Sequence, residues 1–312
     1  MEFIIILASL AGIVLGADWL VDGSVAIARK YKVSDFVIGA AIVGIGTSMP
    51  ELTVSFTGAL QGNSDVAIGN VIGSNIFNVL AILGITAMFF PIAIQKSNMK
   101  FEIPVCIAFS VIVTALSFDF FTHTKNPELK WYDGLILLLG FAAFMWYSFR
   151  RDRRNHSETN VCEERPTALW KAVAMVIVGL GVLVVSCDFF VDNAITVARR
   201  WGLSEAVISI TLIAGGTSLP ELAASVAAAC KKNTQLALGN IIGSNIFNIA
   251  LILGLSSQVS TLASADITLL DYSVMILAAI LPLFWGIKGR IGRLSGAIML
   301  TMFIAYSIYL IK

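Results

Sequence analysis

One phrase occurs twice in this chain, and each copy carries an acid in strongly apolar surroundings. Residues 46–52 read GTSMPEL and residues 216–222 read GTSLPEL, while GNVIGSNIFN at 69–78 returns as GNIIGSNIFN at 239–248. Both pairs stand 170 residues apart, and the offset extends further. Asp18 matches Asp188, Asp22 matches Asp192, Arg29 and Lys30 match Arg199 and Arg200, and Ser34 matches Ser204. Ionisable groups inside a membrane are costly and are usually kept for function. A chain that keeps Glu51 and Glu221 at equivalent places in two copies of one unit reads most simply as a cation carrier.

The membrane follows from composition. Of 312 residues, 57% are hydrophobic and 13% charged, against about 25% charged in soluble domains. Ten apolar stretches follow one another at about 3–28, 34–60, 64–90, 101–121, 132–149, 170–197, 204–229, 235–262, 269–287 and 293–311. Each suits a hydrocarbon core of about 30 Å. Period-two alternation is absent, which favours helices over a barrel. The first stretch reads as a membrane helix and not a cleavable signal, because Glu2 stands where a basic start is expected and the run is too long.

The basic residues orient these helices. Loops after odd-numbered helices hold 16 of the 21 Lys and Arg, and the other side holds 5. The positive-inside rule then puts the first group in the cytoplasm and both termini outside. Five helices per half is an odd number, so the second copy crosses in the opposite sense. The expected fold is an all-α membrane protein of ten transmembrane helices in two inverted-topology five-helix repeats, 1–149 and 170–312, an architecture common among secondary transporters. A cytoplasmic linker, 150–169, contains the mixed-charge run RRDRRNHSETNVCEERPT and suits a solvated connection. The expected location is the cell membrane, with the lipid bilayer as surroundings. Nothing points to a nucleic acid, a cofactor or an obligatory protein partner.

The repeated phrases supply the chemistry. Pro50 has no N–H to offer the Gly46 carbonyl, and Pro220 does the same to Gly216. Gly44, Gly46, Gly215 and Gly216 weaken the helix just ahead of each proline. Unpaired carbonyls at membrane depth are tolerated where a cavity or an ion satisfies them, and broken helices at equivalent places in two halves point to a binding site. Thr47 and Ser48 stand four and three residues before Glu51, so they share its helix face. Ser74 and Asn78 are spaced alike on the next helix, and the second copy adds Thr217, Ser218, Glu221, Ser244 and Asn248. Carboxylate, hydroxyl, amide and carbonyl oxygens make a hard-cation site. No thiolate or imidazole accompanies them, which disfavours zinc and copper.

Blander readings compete at several places. Gly69–Gly73 and Gly239–Gly243 have small-xxx-small spacing and read as close helix packing. Asp18, Asp22, Asp188 and Asp192 lie toward helix ends near basic loops, where pairing with Arg29 or Arg199 accounts for them. Cys106, Cys162, Cys187 and Cys230 lack metal or redox spacing. Trp131, Tyr132, Trp146 and Tyr147 flank the fifth helix as interfacial belts do. An intramembrane enzyme is disfavoured because the serines have no nearby His or Lys base, His123 and His156 being remote. A passive channel remains as a rival, predicting downhill flux without a counter-ion.

GTSxPE followed by GSNIFN, both present twice at one spacing, resembles the cation/calcium exchanger superfamily in its sodium/calcium exchanger branch of prokaryotic type, over nearly the whole chain. The resemblance implies a secondary antiporter exchanging Na+ for Ca2+ by alternating access. It implies that Glu51 and Glu221 bridge the ions at the midplane, that Thr47, Ser48, Thr217, Ser218, Ser74 and Ser244 contribute oxygens, and that Asn78 and Asn248 complete the ring. Backbone carbonyls at Gly44 and Ala214 are implied more weakly, Gly44 replacing an expected alanine. Potassium-dependent members carry Asp where Asn248 stands, so potassium-independent exchange is expected, and the three-for-one ratio that the resemblance implies makes it electrogenic. The helices that open with the first and sixth stretches are implied as the moving gate. The alternative is a proton-coupled or broader divalent-cation antiporter, since protons compete for carboxylates kept from water.

Overall fold

The structure, a computed structural model, describes residues 2–118, 128–155, 168–201, 214–264 and 266–311. Among them eight helices are long and apolar enough to cross a bilayer, or nine if a bent pair is one span. In chain order they are α1 (Glu2–Tyr31), the bent pair α2 (Asp35–Thr47) and α3 (Met49–Leu60), α4 (Ser64–Phe89), α5 (Asn98–Phe118), α6 (Trp131–Asn155), α7 (Leu169–Arg200), the shorter apolar α8 (Leu219–Cys230), α9 (Thr234–Val259), α10 (Leu269–Gly286) and α11 (Arg293–Ile311). The chain is a mostly helical, multi-pass membrane protein. Of the expected stretch 204–229, residues 214–229, including most of α8, are described, and residues 204–213 lie outside the described residues. So do His123, His156, Cys162 and residues 156–167 of the linker.

The structure departs from the reading of the sequence at the end of the fifth helix and between helices. The fifth expected helix runs past residue 149, because the charged residues that follow find partners. The Arg150 guanidinium sits 5.0 Å from the Trp146 ring centre, and Arg151 pairs with Glu102 at 3.2 Å. Asp152 accepts the Ser34 N–H at 2.5 Å. Two short antiparallel ladders also form: Ile92–Ala93 with Arg290–Ile291, and Glu128–Leu129 with Leu262–Ala263. Ile92–Ala93 and Leu262–Ala263 stand 170 residues apart, so a ladder strand recurs in each half at an equivalent place.

α4 and α9 form the centre. Both begin at an asparagine whose side chain caps the first turn, Asn63 accepting from the Val66 N–H and Asn233 from the Leu236 N–H, a strong start signal for a helix. The small residues of GNIIGSN let the backbone of α2 lie directly on α9: a Cβ at Gly243 would fall 2.6 Å from the Ala40 Cβ. Close approach of this kind is what holds apolar helices together where no hydrophobic driving force separates lipid from leucine.

α1 and α7 lie at the periphery and run antiparallel along each other. Glu2 on α1 pairs with Arg200 at the far end of α7 at 2.8 Å. Midway, Gly16 and Gly179 allow mutual contact: a Cβ at Gly16 would lie 2.6 Å from the Leu183 N, and one at Gly179 2.6 Å from the Leu20 N.

Candidate functional site

The site grows out of the two broken helices. α2 ends at Thr47, Ser48 takes φ −83° and ψ 10°, and α3 departs at 50°. In the second half Ser218 takes φ −93° and ψ 8° before α8. Pro50 and Pro220 fall in the first turn of the departing helix, where the missing N–H would have no intrahelical partner anyway. Glu51 and Glu221 follow directly, each in that first turn. The breaks therefore present carboxylates at the start of one half-helix, beside the carbonyl end of the segment before it.

The two halves are joined through these residues. The Ser48 hydroxyl donates to Glu221 Oε1 at 2.8 Å, and the Ser218 hydroxyl donates to Glu51 Oε1 at 2.9 Å. Each serine thus serves the carboxylate of the other half. Thr47 lies beside Glu221 and Thr217 beside Glu51. Ser74 on α4 stands 3.4 Å from the Ser218 hydroxyl, and the Ser244 hydroxyl on α9 donates to the Gly44 carbonyl at 3.3 Å. That carbonyl also receives the Ser48 N–H at 3.1 Å. Ala214 opens the short helical turn Ala214–Gly216 before the second break.

Glu51, Glu221, Thr47, Ser48, Ser218, Ser74, Ser244, Asn78 and Asn248 are all buried, and Thr217 is partly buried. Buried polar atoms are ordinarily paired. Here Glu51 Oε2, Glu221 Oε2, Asn78 Oδ1 and both polar atoms of Asn248 find no hydrogen-bond partner among the described residues. Asn78 and Asn248 also begin π-helical segments, Asn78–Leu83 and Asn248–Ile252, wide turns that recur at functional sites. The two asparagines are not equivalent in their surroundings. The Asn78 amide donates to Asn245 Oδ1 at 3.1 Å, which leaves its oxygen available, whereas Asn248 is unheld.

A second ring of asparagines carries no role in the reading of the sequence. Asn70 Nδ2 donates to the Glu51 carbonyl at 3.1 Å and to Ser55 Oγ at 2.8 Å. Asn240 Nδ2 repeats this with the Glu221 carbonyl at 3.1 Å and Ser225 Oγ at 2.9 Å. Asn240 Oδ1 in addition faces the Thr47 hydroxyl at 3.3 Å, tying the second half to the first break. The signal was present: Asn70 and Asn240 belong to the repeated phrase, and Ser55 and Ser225 share the 170-residue offset. The four aspartates fall elsewhere. Asp18 and Asp22 pair with Lys231, at 3.1 and 2.7 Å, and not with Arg29.

Chemically, the cluster offers two carboxylates and several neutral oxygens, with no basic partner for either carboxylate among the described residues. No group of three or more His, Cys, Asp or Glu side chains gathers among them either. An oxygen-only set of low charge suits weak, exchangeable binding of hard cations better than permanent retention of a transition metal.

A multi-pass protein of the cell membrane, with two broken helices crossing at a pair of buried carboxylates, is the class this geometry defines. The family model described as sodium/calcium exchanger protein matches residues 1–150 and 171–312. The chain is 37% identical to the putative antiporter CaxA of Alkalimonas amylolytica, covering 97% of this chain and 96% of that protein. It is 33% identical to the sodium/calcium exchanger MaX1 of Methanosarcina acetivorans, covering 99% and 98%. Its fold is similar to that of a solved structure of the sodium-calcium exchanger NCX_Mj, with TM-score 0.85 and 31% identity over 99% of this chain and 98% of that one. The chain belongs to the sodium/calcium exchanger family.

Proposed function

We propose that this protein is a secondary antiporter that exchanges Na+ for Ca2+ by alternating access, without potassium and with net movement of charge. The observation that carries the reading is the crossed pair Ser48–Glu221 and Ser218–Glu51, which leaves one oxygen of each carboxylate unpaired, as Asn78 Oδ1 and both polar atoms of Asn248 are, among the described residues. Glu51 and Glu221 bridge the ions. Thr47, Ser48, Ser74, Thr217, Ser218, Ser244, Asn78 and Asn248 complete their shells, with the Gly44 and Ala214 carbonyls as further oxygens. Ca2+ and Na+ are cargo, competing for shared oxygens, so that neither binds well while the other is present. That competition is the coupling.

The fold supports a two-fold design with inverted halves, 1–149 and 170–312, ten crossings and a cytoplasmic connection at 150–169. The antiparallel run of α1 and α7, the equivalent breaks and the equivalent ladder strands are its observable support. Two carboxylates are neutralised by one Ca2+, whereas three Na+ exceed them by one charge. A three-for-one exchange is then electrogenic.

The test is calcium uptake by purified protein in sodium-loaded vesicles, with potassium and pH varied separately. Uptake is expected to need the outward sodium gradient, to ignore potassium, and to vanish in Glu51→Gln and in Glu221→Gln. A second reading, proton-coupled exchange of divalent cations, is favoured by two buried carboxylates that have no basic partner among the described residues. Uptake driven equally by a pH gradient alone would select it.

A further inference from the structure

The two halves match at the breaks but not at the ends of the half-helices that leave them. Lys231 caps the C-terminus of α8, and Gln61 stands at the equivalent place after α3. The Lys231 ammonium reaches back to α1, donating to the Asp18 carbonyl at 3.1 Å and pairing with Asp18 at 3.1 Å and Asp22 at 2.7 Å. The equivalents of those aspartates on α7 are Asp188 and Asp192. Gln61 cannot pair with them as an ion, and no basic side chain among the described residues does so.

Packing follows the same asymmetry. α1 lies along α8, the half-helix that carries Glu221, whereas α7 makes no more than grazing contact with α3, the half-helix that carries Glu51. One long helix is thus closed on its half-helix and its counterpart stands off. The closed side is the one that holds the ion pair.

We infer that Lys231, with Asp18 and Asp22, is a one-sided latch that holds α1 against the Glu221 half-helix and biases the molecule toward the state closed on that face. In the orientation proposed above this is the cytoplasmic face. The latch itself rests on geometry alone; its consequence for transport rests on the exchange reading. Lys231 is a positioning residue: it lies at the far end of α8 from the carboxylate and acts by holding α1. Its side chain is 31% exposed and those of Asp18 and Asp22 are 44% and 53% exposed, so the bias is modest. Pairs this open are worth a population change of about two- to fivefold.

The test uses the full chain and two readouts. Spin labels at Lys30→Cys on α1 and Lys232→Cys after α8, with Cys162 and Cys230 replaced by Ser, report the separation of the two elements without any transport. Lys231→Gln is expected to raise the long-distance population about two- to fivefold, and Asp22→Asn to do so in part. An unchanged distribution in Lys231→Gln overturns the latch whatever the protein carries. In oriented vesicles, Lys231→Gln should lower the half-saturating Ca2+ concentration on the cytoplasmic face by a similar factor and should not lower it on the outer face, as a population shift requires. Gln61→Lys, which offers Asp188 and Asp192 a cation on the other side, should act in the same direction. Half-saturation rising together on both faces marks a general loss of fit and overturns the proposal. A chain that moves no Ca2+ in either orientation sinks the exchange reading and leaves the distance test standing.

Discussion

At the scale of single residues, the site is defined by atoms that the fold leaves unpaired. Asn248 is the extreme case, fully buried with neither its oxygen nor its nitrogen partnered among the described residues. A buried polar group left unmade costs about 1–3 kcal/mol, while replacement by an apolar side chain of similar shape removes that cost. Asn248→Leu is therefore expected to raise the thermal midpoint of the ion-free protein and to shrink the further rise on adding Ca2+, because a ligand stabilises only the state that binds it. A lower ion-free midpoint in thermal unfolding would identify Asn248 as structural instead. The proposed ligands were legible as oxygens clustered around an intramembrane acid. Asn70 and Asn240 were not, since a spacing of 19 residues to the glutamate carbonyl they hold crosses from one helix to the next. Nothing local marks such a bond; only their recurrence in both halves does.

At the scale of elements, the proline-marked breaks and the cap asparagines follow from local chemistry and stand where the residues put them. The π-helical turns at Asn78 and Asn248 do not follow from it. The phrases GSNIFNVL and GSNIFNIA read as ordinary helix, and the wider turns lie where α4 and α9 pack against each other. The contact of α2 with α9 bears on the site, because it sets the Gly44 carbonyl against Ser244. Gly243→Val would push side-chain carbon into Ala40. Overpacking of this kind costs about 1–3 kcal/mol, so the variant should unfold at lower temperature and bind Ca2+ more weakly in the same preparation. Full stability with full affinity would show that α2 and α9 need not approach so closely.

At the scale of the whole molecule, the proposed exchange rests on two carboxylates that have no basic partner among the described residues. Expelling three Na+ for each Ca2+ taken up carries one positive charge out of a vesicle. An inside-positive potential of 100 mV then adds about 2.3 kcal/mol to the driving force. Initial calcium uptake is expected to quicken under inside-positive potential and to slow under inside-negative potential; indifference to voltage would point to a charge-balanced exchange. The equivalence of the halves was legible from one offset of 170 residues. Their inequality was not. Gln61 and Lys231 are a single difference among many in the sequence, and its weight emerges only when α1 is seen closed on α8 while α7 stands away from α3.

Hydrophobic length, basic-residue placement and the repeated acid-bearing phrases are properties of the chain in order, so the membrane, the helical build and the pair of glutamates could be read without coordinates. The crossing of serines between halves, the second ring of asparagines and the ion pairs on one face join residues between 15 and 213 positions apart. Contacts of that separation depend on how the helices come together, and no periodicity along the chain encodes them. The tertiary structure alone decides which oxygens meet.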